Sequence, residues 1–210
     1  MTTTRPYYDH DESWENRAQT GHPVWGGQSF RVYAQLTALL VQHQPPPARI
    51  VDIGCGAGAF GRTLQAAGYN YVGVDESPVA IELGHRSFPE LDLRRHDGAK
   101  ASLKLDGSPF DVVTAVNVLH CLVEPNDRAH FLANLRAQVG LGGRLCLTTM
   151  CAPALPGARL SKHPRLYLPV AEIRAELAHA GWKHILAEEH QDATAAAKIA
   201  NWLVVATPSL

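Results

Sequence analysis

The sequence predicts an α/β protein: one doubly wound, mostly parallel sheet of seven strands with a terminal antiparallel hairpin. Three observations predict it. Apolar, β-branched runs of strand length alternate with helical patterns along most of the chain, as βαβ units in a parallel sheet do. One run, Phe110–Asn117, is mostly apolar, as a strand covered on both faces should be. After the fifth strand the alternation stops. A helix is followed by two strands, and residues 190–200 between them carry no helical pattern of adequate length.

The elements follow in order. Residues 1–28 are polar, with aromatics at Tyr7, Tyr8, Trp14 and Trp25, and read as an N-terminal arm or lid; 29–210 read as a single domain. A helix spans Phe30 to His43, where Val32, Leu36, Leu39 and Leu40 recur at helical spacing, and Pro45-Pro46-Pro47 ends it. The first strand is Ile50–Ile53. The pattern after Gly58 is a helix closed by Gly68, and the second strand, Tyr71–Val74, delivers Asp75. Ser77-Pro78 opens the next helix, with Ser as cap and Pro at the first position. A short third strand near Leu91–Arg95 ends at His96-Asp97, and the fourth is Phe110–Asn117. A helix from about Asn126 to Val139 is closed by Gly140, and Gly142-Gly143 leads into a fifth strand, Arg144–Thr149. A loop with three prolines reaches Leu168, Val170–Ala180 is a helix closed by Gly181, and the last strands are His184–Glu189 and Trp202–Thr207.

Composition narrows the function classes. With 210 residues, 46% hydrophobic and 19% charged, the chain is long enough to bury a full core. A net charge of −1 and no basic block argue against a nucleic-acid partner. No apolar run approaches the ~18–20 residues of a membrane span, and the first residues lack an apolar signal core. The four cysteines lack paired short spacing, as buried reduced thiols of a cytoplasmic protein do. None of the eleven histidines forms a metal-binding pair motif, so no metal is expected.

The chemistry concentrates in Val51-Asp52-Ile53-Gly54-Cys55-Gly56-Ala57-Gly58 and in Asp75. Glycines spaced by two let the backbone turn sharply and let a ligand approach the main chain. A carboxylate ending the second strand is placed to take both hydroxyls of a ribose. Strand, glycine turn, helix, strand and acid together describe a nucleoside crevice. Gly56-Ala57-Gly58-Ala59-Phe60-Gly61 also satisfies G-x-G-x-x-G, which leaves an NAD-linked oxidoreductase as an alternative. Asp52 tilts the choice, because a pyrophosphate needs a helix N-terminus kept clear of negative charge, whereas a cationic ligand does not.

The string D-x-G-x-G-x-G resembles motif I of the class I S-adenosylmethionine-dependent methyltransferases, and the terminal hairpin is similar to the reversed last strand of that fold. The resemblance implies S-adenosylmethionine as cofactor, S-adenosylhomocysteine as product and a small-molecule acceptor. It also implies roles. Gly54, Gly56 and Gly58 bring backbone against the methionine part, and Asp52 helps orient its amino group. Glu76 and Ser77 flank sugar and base. Asp97 accepts from the adenine amino group; Gly98 stands where the family often has a bulky apolar cover. Asn117 lines the pocket near the methyl, and Leu119-His120 resembles the Leu-His pair of many small-molecule members. Trp14-Glu15-Asn16-Arg17, Gly21 and Trp25 resemble the opening segment of the thiopurine, thiocyanate and tellurite-resistance methyltransferases, although Val24 separates Pro23 from Trp25. There an indole face could cover the sulfonium and Arg17 could fork onto a carboxylate; equally, the two tryptophans could only staple the arm to the sheet.

His120 is the candidate base, since its titration range suits the task, with a pocket-lining role as the equal alternative. Tyr7, Tyr8, His22, Cys121 and Cys151 are further pocket candidates. The expected activity is methyl transfer to a small molecule, with sulfur or nitrogen acceptors slightly ahead of oxygen. A binding module that holds the cofactor without turnover is a third reading.

Overall fold

A computed structural model of the chain describes residues 27–105, 109–151, 165–191 and 200–208. Helix α1 (Gly27–His43) leads into strand β1 (Arg49–Ile53), followed by α2 (Ala59–Ala66), β2 (Asn70–Asp75), α3 (Pro78–Ser87) and β3 (Asp92–Arg95). Strand β4 (Phe110–Val116) ends in a 3-10 turn (Leu119–Cys121), then come α4 (Pro125–Ala137), β5 (Val139–Cys151), α5 (Val170–His179), β6 (Trp182–Gln191) and β7 (Ala200–Pro208).

The seven strands form one sheet in the order β3-β2-β1-β4-β5-β7-β6. β1 to β5 are parallel, while β7 runs antiparallel between β5 and β6. The expected mostly parallel sheet with an antiparallel end is therefore present. Strand order reverses between β2-β1 and β4-β5, so the switch point lies between β1 and β4, where an open α/β sheet binds its ligand at the carboxyl edge.

Strand alternation divides the core between the two faces. Ile50, Val112 and Cys146 pack with Leu36, Leu40, Phe60, Leu64 and Ile81 beneath α1, α2 and α3. Val51, Ile53, Val113, Leu145 and Leu147 pack with Phe131, Leu135, Ile173, Leu177 and Trp182 beneath α4 and α5.

Three boundaries differ from the sequence reading. α1 begins at Gly27, so the last residues assigned to the arm belong to the helix. β5 begins at Val139, not Arg144. Phe110 pairs with Val139 and Val112 with Arg144, so Gly140–Gly143 bulge out of a continuing strand. Glycines that look like a loop in the sequence are the flexible residues such a bulge requires. The helix expected to run to Val139 stops accordingly at Ala137.

Candidate functional site

Three loops leave the carboxyl ends of β1, β2 and β4 and meet at the switch point. In the first, Gly54, Gly56 and Gly58 all adopt positive φ, 83°, 56° and 84°, a conformation that bars ordinary side chains at low energy. A Cβ on Gly54 would collide with Val118 Cγ2, so this loop and the turn after β4 touch through a missing side chain.

Asp75 ties the second loop to the first. Its Oδ2 accepts from the Gly56 backbone N–H at 2.8 Å and its Oδ1 from the Ser77 N–H at 3.0 Å. The carboxylate is fixed in orientation at the end of β2 with 9% exposure. Ser77 is turned away from the crevice: its hydroxyl caps α3 by accepting from Ala80 N at 3.1 Å. Glu76 is half-buried beside it, and its carbonyl accepts from Arg95 Nε at 3.3 Å.

Asp52 lies directly under the glycine loop, on the α1–α3 face of β1 and 1% exposed. Its two oxygens accept from the Thr114 hydroxyl at 2.7 Å and the Tyr71 hydroxyl at 3.1 Å. Burial drives its pKa up from 3.8 to about 6, against the pull of those two hydroxyls and with a small push from Asp75. The Tyr71 ring reaches Asp52 by crossing two glycines. A Cβ on Gly61 would collide with the ring, and one on Gly73 would meet the Tyr71 hydroxyl at 2.7 Å. Tyr71 and Thr114 did not stand out in the sequence, where both read as strand residues; the signal was the glycines facing them. Cys55, between the loop glycines, is pushed well above the ordinary thiol range by burial and by the charges of Asp75 and Asp52, so it stays protonated.

Past β3, Asp97 Oδ1 accepts from Ala99 N at 3.0 Å and Lys100 N at 3.1 Å, forming a tight local turn. His96 N donates to Asp75 O at 2.8 Å, which places this turn next to Asp75. Gly98 is a packing residue: a Cβ there would lie 2.7 Å from Ile53 Cγ2, and its carbonyl accepts from Asn134 Nδ2 at 2.6 Å.

At the end of β4, Asn117 holds a positive φ of 60°, a conformation asparagine tolerates better than most residues. Its N–H donates to Thr148 O at 3.0 Å, and its Oδ1 accepts from the Thr148 hydroxyl at 3.3 Å. The backbone thereby turns into the Leu119–Cys121 segment.

His120 sits in that turn, 3% exposed, with its ring stacked on Tyr167 at 6.0 Å between centroids. Its Nδ1 accepts from the Met150 backbone N–H at 3.3 Å and lies 3.4 Å from the Thr149 hydroxyl. Burial, together with the charges of Arg165 and Arg128, drives its pKa down from 6.5 to about 3. The turn itself is clamped. The buried Arg128 guanidinium donates to Leu119 O at 2.6 Å and to Leu122 O at 3.2 Å. Its other edge forks onto Glu176 of α5. The 165–168 segment lies across the same edge, with Leu166 N donating to His120 O at 2.9 Å.

Cys121 is buried in this turn, its thiol pushed up to about 11 by burial, and behaves as an inert wall residue. Cys151 is 1% exposed within the α4–α5 core and bridges to Leu168. Tyr7, Tyr8, Trp14, Arg17, His22 and Trp25 lie outside the described residues. Among the described residues no group of three or more His, Cys, Asp or Glu could hold a metal ion, and no helix is long and apolar enough to cross a membrane.

Comparison with known proteins fits this geometry. Residues 51–145, from the glycine loop to the middle of β5, match the family model described as a methyltransferase domain. The chain is 31% identical over 163 residues to the mitochondrial ubiquinone biosynthesis O-methyltransferase of Schizosaccharomyces pombe, covering 74% of this chain and 55% of that one. It therefore spans about half the length of that relative. Among solved structures, the N-methyltransferase NodS from Bradyrhizobium japonicum, in complex with S-adenosylhomocysteine, superposes with a TM-score of 0.75 at 17% identity, covering 96% of this chain and 99% of that one. The 1,6-didemethyltoxoflavin-N1-methyltransferase of Burkholderia thailandensis gives 0.74 at 18%, covering 95% and 87%. The architecture is that of the class I methyltransferases.

Proposed function

We propose that this chain, built on the class I methyltransferase fold, transfers a methyl group from S-adenosylmethionine to an oxygen of a small-molecule acceptor. The observation that supports it best is the coupling of Asp75 to the glycine loop. One carboxylate is held by Gly56 N and Ser77 N at the end of β2, beside backbone stripped of side chains. These residues fit the cofactor. Asp75 is oriented to accept ribose hydroxyls, the positive-φ glycines admit the methionine part, and Asp97 lies in the turn whose His96 N–H bonds the Asp75 carbonyl, on the adenine side.

When bound, S-adenosylmethionine supplies an electrophilic methyl group on a sulfonium. The chain's own work is alignment and exclusion of water, which together contribute up to ~7–11 kcal/mol. Asp52, ionised above about pH 6, places negative potential under the loop where a cationic ligand sits. The leaning to sulfur or nitrogen gives way to oxygen, because the relative matched over most of the chain is named as an O-methyltransferase. A net charge of −1 and four free cysteines support a diffusible small acceptor and a reducing, cytoplasmic setting. The arm ahead of α1 serves in this reading as a lid over the cofactor.

Thermal denaturation with added ligand tests the reading. S-adenosylhomocysteine at ~100 times its dissociation constant should stabilise by about 2.7 kcal/mol, and NAD should not. S-adenosylhomocysteine release from phenols, with none from amines or thiols, should follow. Stabilisation by NAD alone would return the protein to the oxidoreductases.

A further inference from the structure

We infer that His120 serves the acceptor as a fixed hydrogen-bond donor through Nε2–H and not as a base, so that the site selects acceptors whose oxygen is already ionised. The inference rests on the functional reading above and specifies the acceptor chemistry: acidic phenols or enols.

The argument starts from a backbone donor. Met150 N–H can only donate, and at 3.3 Å it points at His120 Nδ1. Nδ1 must therefore present a lone pair, and in a neutral imidazole the single ring proton then resides on Nε2. Rotation cannot undo this assignment. The ring is 3% exposed, stacked on Tyr167, and carried by a turn whose carbonyls on both sides, Leu119 O and Leu122 O, are held by Arg128. Nε2 projects to the side of the ring away from the β5 backbone, and it makes no hydrogen bond with any described residue. A donor N–H without a partner among the described residues, at the carboxyl edge of β4, is a place for an acceptor atom of a ligand.

Burial, and after it the charges of Arg165 from the 165–168 segment and Arg128 from α4, hold His120 neutral. The two guanidinium groups favour an anion there, while Asp75 and Glu76, whose charges reach the adjacent Cys121, oppose one. Arg128 is partnered by Glu176 of α5, while Tyr167 and Cys121 complete the wall, and the Cys121 thiol stays uncharged near neutrality. A base here would have to capture its proton at Nδ1, the atom already occupied by Met150 N–H, and would create a cation buried near two guanidinium groups. A donor needs none of this.

The transfer step balances without a protein base. The hydroxyl proton is lost to solvent before the acceptor binds. One lone pair of the resulting oxyanion forms the O–CH3 bond while the S–CH3 bond breaks with its pair going to sulfur. The products are a neutral methyl ether and S-adenosylhomocysteine, and the Nε2 proton stays in place throughout. The donor raises the ionised fraction of the bound acceptor and orients one lone pair.

Three readouts test this. Long-range proton–nitrogen spectra of the 15N-labelled protein at pH 7 should show a neutral ring protonated on Nε2. A ring protonated on Nδ1, or on both nitrogens, overturns the inference whatever the activity. Next, 4-nitrophenol in the presence of S-adenosylhomocysteine reports its own ionisation by visible absorption. Its apparent pKa should fall on binding to the wild type and to His120→Gln, whose carboxamide still donates, and not on binding to His120→Phe. An equal fall in all three overturns the inference. In turnover with 4-nitrophenol, His120→Gln should stay within ~10-fold of wild type, while His120→Phe loses about 10²-fold. Equal loss in both variants restores the base. Failure of S-adenosylhomocysteine to bind the wild type overturns instead the functional reading, and the ring's tautomer is still read independently.

Discussion

Replacing Asp52 by asparagine should change the pH dependence of stability in a calculable way. The folded pKa of about 6 lies above the ordinary carboxylate value of 3.8, because burial disfavours the charge. The native state therefore binds the proton more tightly than the unfolded chain. Stability from the neutral form is complete below the unfolded value and is lost as pH rises through about 6. A rise of that size corresponds to about 3 kcal/mol, with roughly half of the change falling between pH 5 and pH 8. An asparagine side chain at this position cannot ionise, while its carboxamide can still meet the Tyr71 and Thr114 hydroxyls. His120 acts in the opposite sense over the same range: its folded pKa of about 3 lies below 6.5, so its contribution is lost as pH falls. Wild type alone would show a misleadingly flat profile, and only subtraction isolates Asp52. Urea denaturation of wild type and Asp52→Asn at pH 5 and pH 8 makes that subtraction. The variant should gain on wild type by ~1–2 kcal/mol between the two pH values, and its affinity for S-adenosylmethionine should fall. An identical stability difference at both pH values would refute a buried carboxylate titrating in this range.

Other outcomes follow from the same contacts. Asp75→Ala should weaken S-adenosylhomocysteine binding by ~1–3 kcal/mol, measured by titration calorimetry on a folded variant; unchanged affinity would remove Asp75 from the ribose site. Gly61→Ala drives a Cβ into the Tyr71 ring and should destabilise by ~1–3 kcal/mol. Combining it with Tyr71→Leu should give less than the sum of the two losses, and strict additivity would show that the ring does not contact Gly61. Arg128→Ala frees two carbonyls and leaves Glu176 without its fork; a loss of ~2–4 kcal/mol in urea is expected, against a smaller one for Glu176→Gln, whose side chain is 30% exposed. Deleting residues 1–28 should leave the sheet folded by far-ultraviolet dichroism while abolishing turnover; full activity would deny them a lid role.

How much of this was legible in the sequence varied with the range of the interaction. The parallel strands, the glycine loop, Asp75 and the Ser77 cap are local patterns, and each was readable. Periodicity misplaced the start of β5, since Gly140–Gly143 look the same in a loop and in a bulge; only pairing with Phe110 and Val112 separates the two. The partners of Asp52, 19 and 62 residues away, depend on strand order. The clamp from Arg128 to Glu176 spans 48 residues between helices with no shared motif. The tautomer of His120 is set by one backbone N–H 30 residues further on. Its identity as histidine was visible; the direction of its hydrogen bonds was not.

The placement of β7 has a consequence for the order in which the molecule is made. β7 occupies an interior position, between β5 and β6, and is the sheet neighbour of both. During synthesis β1 to β5 emerge in an order that lets each pair with strands already formed. β6 emerges before the strand it needs, and β5 stands as an open edge until Pro208 has been added. An exposed strand edge invites pairing with other chains. The nascent chain therefore carries an unpaired β5 edge from the time β5 emerges until β7 has emerged and paired with it.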